Sequence, residues 1–218
     1  MPTIRTLLLD LDDTLYPAGN GLWEAIGLRI NEFIVHKVGV SPDAASALRE
    51  RYFREYGTSL NGLRVHHAID PHEYLAYVHD VPLDSYLAPD PRLRHTLGSL
   101  AVRPVIFTNA DRGHASRVLA RLGVADLIEQ IIDIEALGWI NKPEPGAYRR
   151  ALSLCGEPEP EASLVVDDQL RNLDPAAALG MHTVLVGGVR PADSRHDWIA
   201  TVHGLPSVVA GLARNPEP

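Results

Sequence analysis

Four short apolar runs along the chain each end in polar residues. Short apolar runs with polar boundaries are typical of buried β-strands. The runs occupy residues 4–9, 102–107, 163–166 and 183–186, and they end at Asp10, Thr108-Asn109, Asp167-Asp168 and Gly187-Gly188. We therefore predict four strands whose carboxyl ends carry polar groups.

Helical patterns separate the later strands. Residues 113–122 place apolar side chains on one face and end at Gly123, residues 145–154 begin at a proline, and residues 175–179 end at Gly180. Strands that alternate with helices predict an α/β fold, in which a Rossmann-like parallel sheet carries helices on both faces. Ligands of such folds bind beyond the carboxyl ends of the strands, so the polar strand ends should share one site.

The segment 17–91 interrupts this alternation. Its isoleucines at positions 26, 30 and 34 recur at helical spacing, and Ser41-Pro42-Asp43 is typical of a helix start. The segment leaves the first strand and returns before the second. We therefore predict that residues 17–91 form an inserted all-helical cap domain, and that residues 1–16 and 92–218 form the core domain. A mobile cap would exclude water and select substrates.

Composition and charge narrow the classes of function. The chain has 218 residues, 45% of them hydrophobic, and a formal net charge of −8, which disfavours binding to nucleic acid polymers or anionic membranes. Cys155 is the only cysteine, so no internal disulfide is expected. The apolar run at the N-terminus is too short for a secretory signal, and no stretch is long enough to span a membrane. We expect a cytoplasmic protein.

Two aspartates close the first strand. Residues two apart in a strand point to the same side, so Asp10 and Asp12 should face one way. Two such carboxylates repel each other and lose hydration, and a bound cation would relieve both costs. The pattern therefore indicates a site for a hard metal ion with a carboxylate that can act as a nucleophile. The alternative is a buried strand that runs into an acidic turn.

Four motifs together resemble those of the haloacid dehalogenase-like (HAD) superfamily. They occur in the order of that superfamily and on the expected elements. They are Asp10-Leu11-Asp12-Asp13-Thr14, Thr108, Lys142 within Asn141-Lys142-Pro143, and Val166-Asp167-Asp168. Haloacid dehalogenases themselves lack an aspartate two residues after the nucleophile, so the presence of Asp12 implies phosphatase or phosphotransferase chemistry.

The resemblance implies a catalytic role for each motif. Asp10 would attack phosphorus and form an aspartyl-phosphate, and Asp12 would protonate the leaving alcohol and then activate the hydrolytic water. Thr108 and the amide of Asn109 would hold phosphate oxygens, and Lys142 would neutralise charge on the nucleophile and the phosphoryl group.

The resemblance also implies a magnesium ion. Asp10, the backbone carbonyl of Asp12, and Asp168 would bind Mg²⁺, and Asp167 would contact a metal-bound water or support the ligands. Many relatives carry a further acid a few residues later. Here Asn172 fills the nearer position and Asp174 lies further on, which leaves the role of a further acid open.

A finer resemblance is to the pyrimidine 5′-nucleotidase branch of that superfamily. It is carried by Leu15-Tyr16-Pro17 with Gly21-Leu22-Trp23, Tyr56-Gly57-Thr58-Ser59-Leu60, Tyr77-Val78-His79-Asp80, and Asp168-Gln169-Leu170-Arg171-Asn172-Leu173. The resemblance implies hydrolysis of nucleoside monophosphates such as UMP or CMP. The partner would be a small-molecule phosphate ester.

Several residues have side chains suited to a nucleotide. Trp23, Tyr52 or Tyr56 would stack on the base, and hydroxyl or amide groups would bind its edge. The edge contacts would come from Thr58, Ser59 or Asn61, the sugar or phosphate contacts from Arg64 or His66, and further phosphate contacts from Arg112 and His114. The alternative is that most of the tyrosines pack between cap helices.

Three alternatives to a nucleotidase remain. Two are enzymes, namely a phosphatase for sugar phosphates or another small phosphate ester, and a sugar-phosphate mutase. The third is a catalytically silent HAD-like binding module. The intact set of Asp10, Asp12, Thr108, Lys142 and Asp168 argues against the silent module.

Overall fold

Six parallel strands form one sheet in the computed structural model, which describes residues 4–157, 159–192 and 194–214. The strands are β1 (Thr6–Leu9), β2 (Arg103–Phe107), β3 (Gln130–Ile132), β4 (Ser163–Asp167), β5 (His182–Val186) and β6 (Asp197–Ile199). Their order across the sheet is β3-β2-β1-β4-β5-β6. The central strand β1 pairs with both β2 and β4, and Leu8 lies opposite Val105 and Val165.

Helices cover both faces of this sheet. The helices are α1 (Leu22–Val38), α2 (Pro42–Tyr56), α3 (Ser59–His67), α4 (Pro71–Val78), α5 (Pro91–Gly98), α6 (Arg112–Leu122), α7 (Pro145–Cys155), α8 (Leu170–Ala178) and α9 (Leu205–Arg214). Leu7 and Leu9 share a buried cluster with Val118 of α6. Leu8 belongs to a second cluster, with Tyr148 of α7. Successive residues of β1 therefore pack on opposite faces, which confirms the predicted α/β architecture.

Helices α1 to α4 form the cap. They occupy the interval between β1 and β2, as predicted, and Ser41 caps α2 by accepting a hydrogen bond from the backbone amide of Ala44. Ile26, Ile30 and Ile34 are buried along one face of α1. The cap helices thus bury the apolar stripe that the sequence pattern indicated. The division into domains at residues 17 and 91 stays a prediction.

Three elements differ from the prediction. Strands β3 and β6 were not predicted, because each has three residues and neither forms a long apolar run. Helix α8 begins at Leu170, earlier than expected, and contains Pro175 in its interior. Asn172, Leu173 and Ala176 are buried on this helix, so packing against the sheet outweighs the local cost of the proline.

The C-terminal segment packs on the core. Leu205 of α9 is fully buried, and Val208, Val209 and Leu212 lie against the larger apolar cluster. Among the described residues, no helix is both long and apolar enough to cross a membrane.

Candidate active site

The predicted motif residues meet at the carboxyl edge of the sheet. Asp10 follows β1, Thr108 follows β2, and Asp167 ends β4. Lys142 comes from the loop before α7. Asp10, Thr108, Lys142 and Asp168 form the floor of a cavity of about 620 Å³, and cap residues form its walls.

Lys142 connects the two aspartates of the central strands. Its side chain is 1% exposed, and its Nζ donates to Asp10 Oδ1 and to Asp167 Oδ2, at 2.7 Å each. Burial would lower the pKa of Lys142, but the two carboxylates outweigh burial and raise it. The lysine is therefore a cation at neutral pH.

Asn109 holds the lysine in place. Its Oδ1 accepts from the backbone amide of Lys142 at 2.8 Å, and its Nδ2 donates to the carbonyl of Lys142 at 3.1 Å. The Asn109 side chain is thus engaged, and any phosphate contact would come from its backbone amide. Thr108 is buried at the floor of the cavity, where its Oγ1 accepts from the amide of Ala110 at 3.0 Å.

Asp167 is saturated by hydrogen bonds. Its Oδ1 accepts from the Gln169 amide at 2.8 Å and from Asn172 Nδ2 at 2.9 Å, and Lys142 occupies Oδ2. Asn172 comes from α8, whose early start brings it to this position. Both Asp167 oxygens are therefore engaged by groups of the protein itself, and its role beside a metal ion stays a prediction.

The acidic cluster has more negative charge than its lysine balances. Carboxylate oxygens of Asp10, Asp167 and Asp168 lie within 4.8 Å of one another, and together they could hold a metal ion. Burial, with repulsion from Asp167 and Asp168, outweighs Lys142 and raises the pKa of Asp10 well above its usual range.

A divalent cation fits this cluster. Three carboxylates face one ammonium, so the excess of two negative charges equals the charge of such an ion. The donors are oxygens, which hard cations such as Mg²⁺ prefer. Asp13 adjoins the cavity with a buried Oδ1 that has no hydrogen-bond partner among the described residues, and burial raises its pKa to about 6.

Protonation of Asp168 should compete with a bound cation. Burial, with Asp167, raises the pKa of Asp168 to about 6. Protons and the cation compete for the oxygens of Asp10 and Asp168, whose pKa values are both raised, so Mg²⁺ affinity should fall by about tenfold or more per pH unit below about pH 6. Isothermal titration calorimetry across this range would measure it.

The matched control for this titration is Asp174→Asn, because Asp174 is an exposed acid paired with Arg195 outside the cluster. That variant should keep the pH dependence, whereas Asp168→Asn should lose most of the affinity. An affinity that does not change between about pH 5 and about pH 8 would contradict the competition.

Asp12 is held by two hydrogen bonds to one oxygen. Tyr16 Oη donates to Oδ1 at 2.6 Å, and His114 Nε2 lies 2.9 Å from the same oxygen. Burial would raise the pKa of Asp12, but the charge and hydrogen bond of His114, with the bond from Tyr16, hold it below its usual range. The sequence indicated His114 as a phosphate neighbour, and the structure places its side chain against Asp12.

The cavity walls contain some of the predicted substrate contacts. Trp23, Thr58 and Ser59 line the cavity, and the Trp23 side chain is half exposed at 45%. They lie on or beside α1 and α3, which face the strand ends. These three residues are available to a ligand in the cavity.

Tyr56, Arg64 and Arg112 are among the predicted contacts that lie outside the cavity lining, as do Asn61 and His66. Tyr56 Oη bonds to His66 Nε2 at 2.5 Å, and the guanidinium of Arg64 lies over the ring of Trp139 at 5.2 Å. Arg112 Nη2 donates to the carbonyl of Ile131 at 2.7 Å. Each of these side chains is turned away from the cavity by a partner on the protein itself.

Tyr52, the other tyrosine considered for stacking, is buried within the cap. Its ring stacks on that of His66, with centroids 5.2 Å apart, and its Oη bonds to His67 Nε2 at 2.9 Å. Tyr52 and Tyr56 therefore join α2 to α3, as in the alternative that the tyrosines pack between cap helices.

The end of α2 contributes cavity residues that the sequence did not indicate. They are Arg49, Glu50 and Phe53 of α2 and its C-cap residue Gly57. Arg49, Phe53 and Gly57 are spaced four apart, so they follow the face next to the one that carries Tyr52 and Tyr56. Gly27 of α1 makes room for Arg49, because a Cβ at Gly27 would lie 2.5 Å from Arg49 Nη1. A helical plot shows the two faces but does not show which one turns toward the strands.

Two core side chains fasten the end of α2 to the core. Arg171 of α8 donates to the carbonyls of Phe53 and Gly57 at 3.0 Å each, and its guanidinium lies 3.8 Å from the centre of the Phe53 ring. Asn141 Nδ2 donates to the carbonyl of Tyr56 at 3.1 Å. We call these three hydrogen bonds the α2 junction.

Comparison with known proteins identifies the family. A family model described as haloacid dehalogenase-like hydrolase matches residues 4–180, which is most of the chain. The chain therefore belongs to this family, as the sequence motifs indicated.

Individual relatives agree with this family. Phosphate metabolism protein 8 of Saccharomyces cerevisiae is 30% identical over 201 residues, which cover 84% of this chain and 62% of the yeast protein. Phosphoglycolate phosphatase of Rhodospirillum rubrum is 26% identical over 202 residues, covering 84% of this chain and 79% of that protein. The chain thus spans less than two thirds of the length of the yeast relative.

A solved structure shares the fold. The HAD phosphatase from Thermococcus onnurineus has a TM-score of 0.62 at 22% identity, and the match covers 95% of this chain and 98% of that one. This similarity supports the α/β core with its helical cap.

Proposed function

We propose that this protein hydrolyses phosphate monoesters through an aspartyl-phosphate on Asp10. The proposal depends above all on one arrangement. Asp12 lies two residues after Asp10 and lines the same cavity, and Lys142 neutralises Asp10 from a distance of 2.7 Å. A nucleophile, an acid and a fixed cation are the parts that phosphoryl transfer requires.

The reaction would proceed in two half-reactions. A carboxylate oxygen of Asp10 forms a bond to phosphorus while the bond to the leaving oxygen breaks, and that oxygen takes a proton from Asp12. A water then attacks phosphorus and gives a proton to Asp12, which releases Asp10 and inorganic phosphate. Lys142 would stabilise the charge that gathers on the phosphoryl oxygens.

Magnesium would be the cofactor. Asp10, Asp168 and the backbone carbonyl of Asp12 would hold Mg²⁺, which would neutralise phosphoryl charge. Asp167 would keep Lys142 and α8 in position beside it, through the hydrogen bonds described above.

Within this class, we propose a pyrimidine nucleoside 5′-monophosphate such as UMP or CMP as the substrate. The cavity of about 620 Å³ is large enough for a small ligand, and Trp23 and Phe53 expose apolar rings along its wall. Those rings would stack on a base. Thr58 and Ser59 offer hydroxyl groups for contacts to the base edge.

The test is phosphate release from UMP, CMP, AMP, GMP, sugar phosphates and 4-nitrophenyl phosphate, with Mg²⁺ or EDTA. Magnesium-dependent preference for UMP and CMP would support both the class and the substrate. Turnover of 4-nitrophenyl phosphate without nucleotide preference would keep the phosphatase and remove the nucleotidase. A folded protein without turnover of any ester would favour a silent binding module.

One residue favours a second candidate, a phosphatase for a small ester that carries another anionic group. Arg49 lines the cavity and makes no ion pair within 4.0 Å among the described residues, and the same cavity is also lined by Glu24 and Glu50. A cation in a cavity wall favours a ligand with negative charge at its far end. Phosphoglycolate, the substrate in the name of the Rhodospirillum rubrum relative, has such a group.

Arg49→Gln separates the two candidates. If Arg49 binds a second anion, KM for phosphoglycolate should rise about 10- to 100-fold with kcat little changed, because a charged hydrogen bond contributes ~1.5–3 kcal/mol. Steady-state kinetics with phosphoglycolate and UMP would measure the effect. Arg51→Gln is the matched control, since Arg51 lies on α2 outside the cavity lining. An unchanged KM for phosphoglycolate would count against this candidate.

A further inference from the structure

His114 is a buried histidine whose ring is directed at Asp12. Its side chain is 0% exposed, and Nε2 lies 2.9 Å from Asp12 Oδ1. The other ring nitrogen, Nδ1, is buried and has no hydrogen-bond partner among the described residues. A buried ring nitrogen without a hydrogen bond costs about 1–3 kcal/mol. A histidine with a packing role alone should avoid that cost. The orientation of the ring therefore favours the bond to Asp12.

The surroundings of His114 fix this orientation. The ring of His79 stacks on it, with centroids 4.2 Å apart and planes 19° apart. Asp111 bonds to His79 Nδ1 through Oδ2 and accepts from the backbone amide of His114 through Oδ1, at 2.9 Å. One carboxylate thus caps α6 and holds the ring that supports His114.

The geometry at Asp12 distinguishes its two oxygens. Oδ1 accepts from Tyr16 at 2.6 Å and also faces His114 Nε2. No hydrogen bond to Oδ2 is present among the described residues. With the His114 proton on Nε2, Oδ1 accepts from two donors, which makes it a poor place for a further proton. A proton on Asp12 therefore belongs on Oδ2.

We propose that His114 is a positioning residue for the acid step, which holds Asp12 so that Oδ2 delivers its proton to the leaving oxygen. The inference rests on the proposed role of Asp12 as the general acid. In the first half-reaction Oδ2 loses its proton to the oxygen that leaves phosphorus, and in the second it regains one from the attacking water. The two donors stay on Oδ1 throughout.

The experiment measures kcat/KM for a series of substituted phenyl phosphates whose phenols differ in acidity. The value of kcat/KM reports the steps up to transfer of the phosphoryl group to Asp10. A less acidic phenol is a poorer leaving group, so its departure depends more on the proton from Asp12. His114→Leu should lower kcat/KM for phenyl phosphate about 10- to 100-fold. General acid catalysis contributes a rate acceleration of ~10²–10⁴-fold, and the variant should lose part of it. The loss for 4-nitrophenyl phosphate should be clearly smaller, about threefold or less.

Two further variants separate positioning from a structural effect. His114→Gln keeps an N–H donor at a similar reach and should restore most of the lost rate for phenyl phosphate. In the double variant Asp12→Asn/His114→Leu, the second change should add little, because His114 acts through Asp12. If His114→Leu does not fold, His114→Asn replaces it, since asparagine is polar but too short to reach Asp12.

A steep dependence of kcat/KM on the acidity of the leaving phenol in Asp12→Asn would support the acid role of Asp12. If that dependence is found, three results would overturn the inference about His114 alone. They are an equal loss for all esters in His114→Leu, a wild-type dependence in that variant, or a further large loss in the double variant. A wild-type dependence in Asp12→Asn itself would instead overturn the acid role of Asp12, and the inference with it.

Discussion

Replacing Asp10 with asparagine is expected to reduce turnover by about 10⁴-fold or more while the protein stays folded. Asparagine has the same shape, so Lys142 and Thr14 can still bond to it, but its amide cannot form the acyl phosphate. The thermal midpoint should stay within about 3 °C of the wild type, because the change also removes repulsion among buried carboxylates. Phosphate release from 4-nitrophenyl phosphate measures the loss.

The covalent intermediate gives a direct check of this expectation. Acid quenching during turnover, followed by peptide mass spectrometry, should find a phosphorylated peptide containing Asp10 in the wild type and none in Asp10→Asn. Asp13→Asn is the matched control, because Asp13 lies in the same turn and also lines the cavity. Substantial hydrolysis by Asp10→Asn would contradict the aspartyl-phosphate route.

Replacing Lys142 with methionine is expected to impair both stability and turnover. Methionine matches the length of the lysine chain, but the change leaves Asp10 and Asp167 without their shared cation. Removing one partner of a buried ion pair costs about 3–5 kcal/mol of unfolding free energy. Urea unfolding at neutral pH would measure the loss, and turnover should fall about 10³-fold because the phosphoryl charge loses its fixed cation.

The loss of unfolding free energy in Lys142→Met should depend on pH, and the pKa of Asp10 sets the direction of that dependence. Burial with repulsion already raises the pKa of Asp10, and removal of Lys142 raises it further. A buried acid with a raised pKa binds protons more readily in the folded state, so the stability deficit of Lys142→Met should shrink as the pH falls. Lys37→Met is the matched control, since Lys37 makes an exposed ion pair with Glu73. A deficit that is constant or grows on acidification would contradict this account.

The residues of the core site could be predicted because local apolar runs in the sequence show where each strand ends. An apolar run places its last residue at the edge of the sheet, and parallel strands bring Asp10, Thr108 and Asp167 to the same edge. Lys142 was found through its motif, since it lies in a loop that has no periodic pattern. Its bonds to the two aspartates depend on the tertiary structure.

The cap contacts were less predictable for a geometric reason. Two adjacent faces of α2 carry residues suited to a ligand, one with Tyr52 and Tyr56 and the other with Arg49 and Phe53. Composition favours the tyrosines, yet the packing of α2 on α3 turns them away from the cavity. The choice of face depends on contacts between helices, which periodicity within one helix does not contain.

The surroundings of Asp12 show a second limit of sequence reasoning. His79 ends α4 in the cap and His114 lies in the first turn of α6 in the core. Neither lies near Asp12 in the chain, and no spacing rule joins them. Their stacked rings depend on the packing of the end of α4 against the start of α6 in the tertiary structure.

The α2 junction attaches the cap to the core through the backbone of the cap. Its hydrogen bonds from Arg171 and Asn141 all end on backbone carbonyls, so substitutions of cap side chains leave the acceptors in place. The cap can therefore change its side chains, and with them its choice of ligand, while the attachment to the core persists. The hydrogen bonding of the cap to the core at this point is thus set by the backbone of α2 and its C-terminal cap and not by the identity of their side chains.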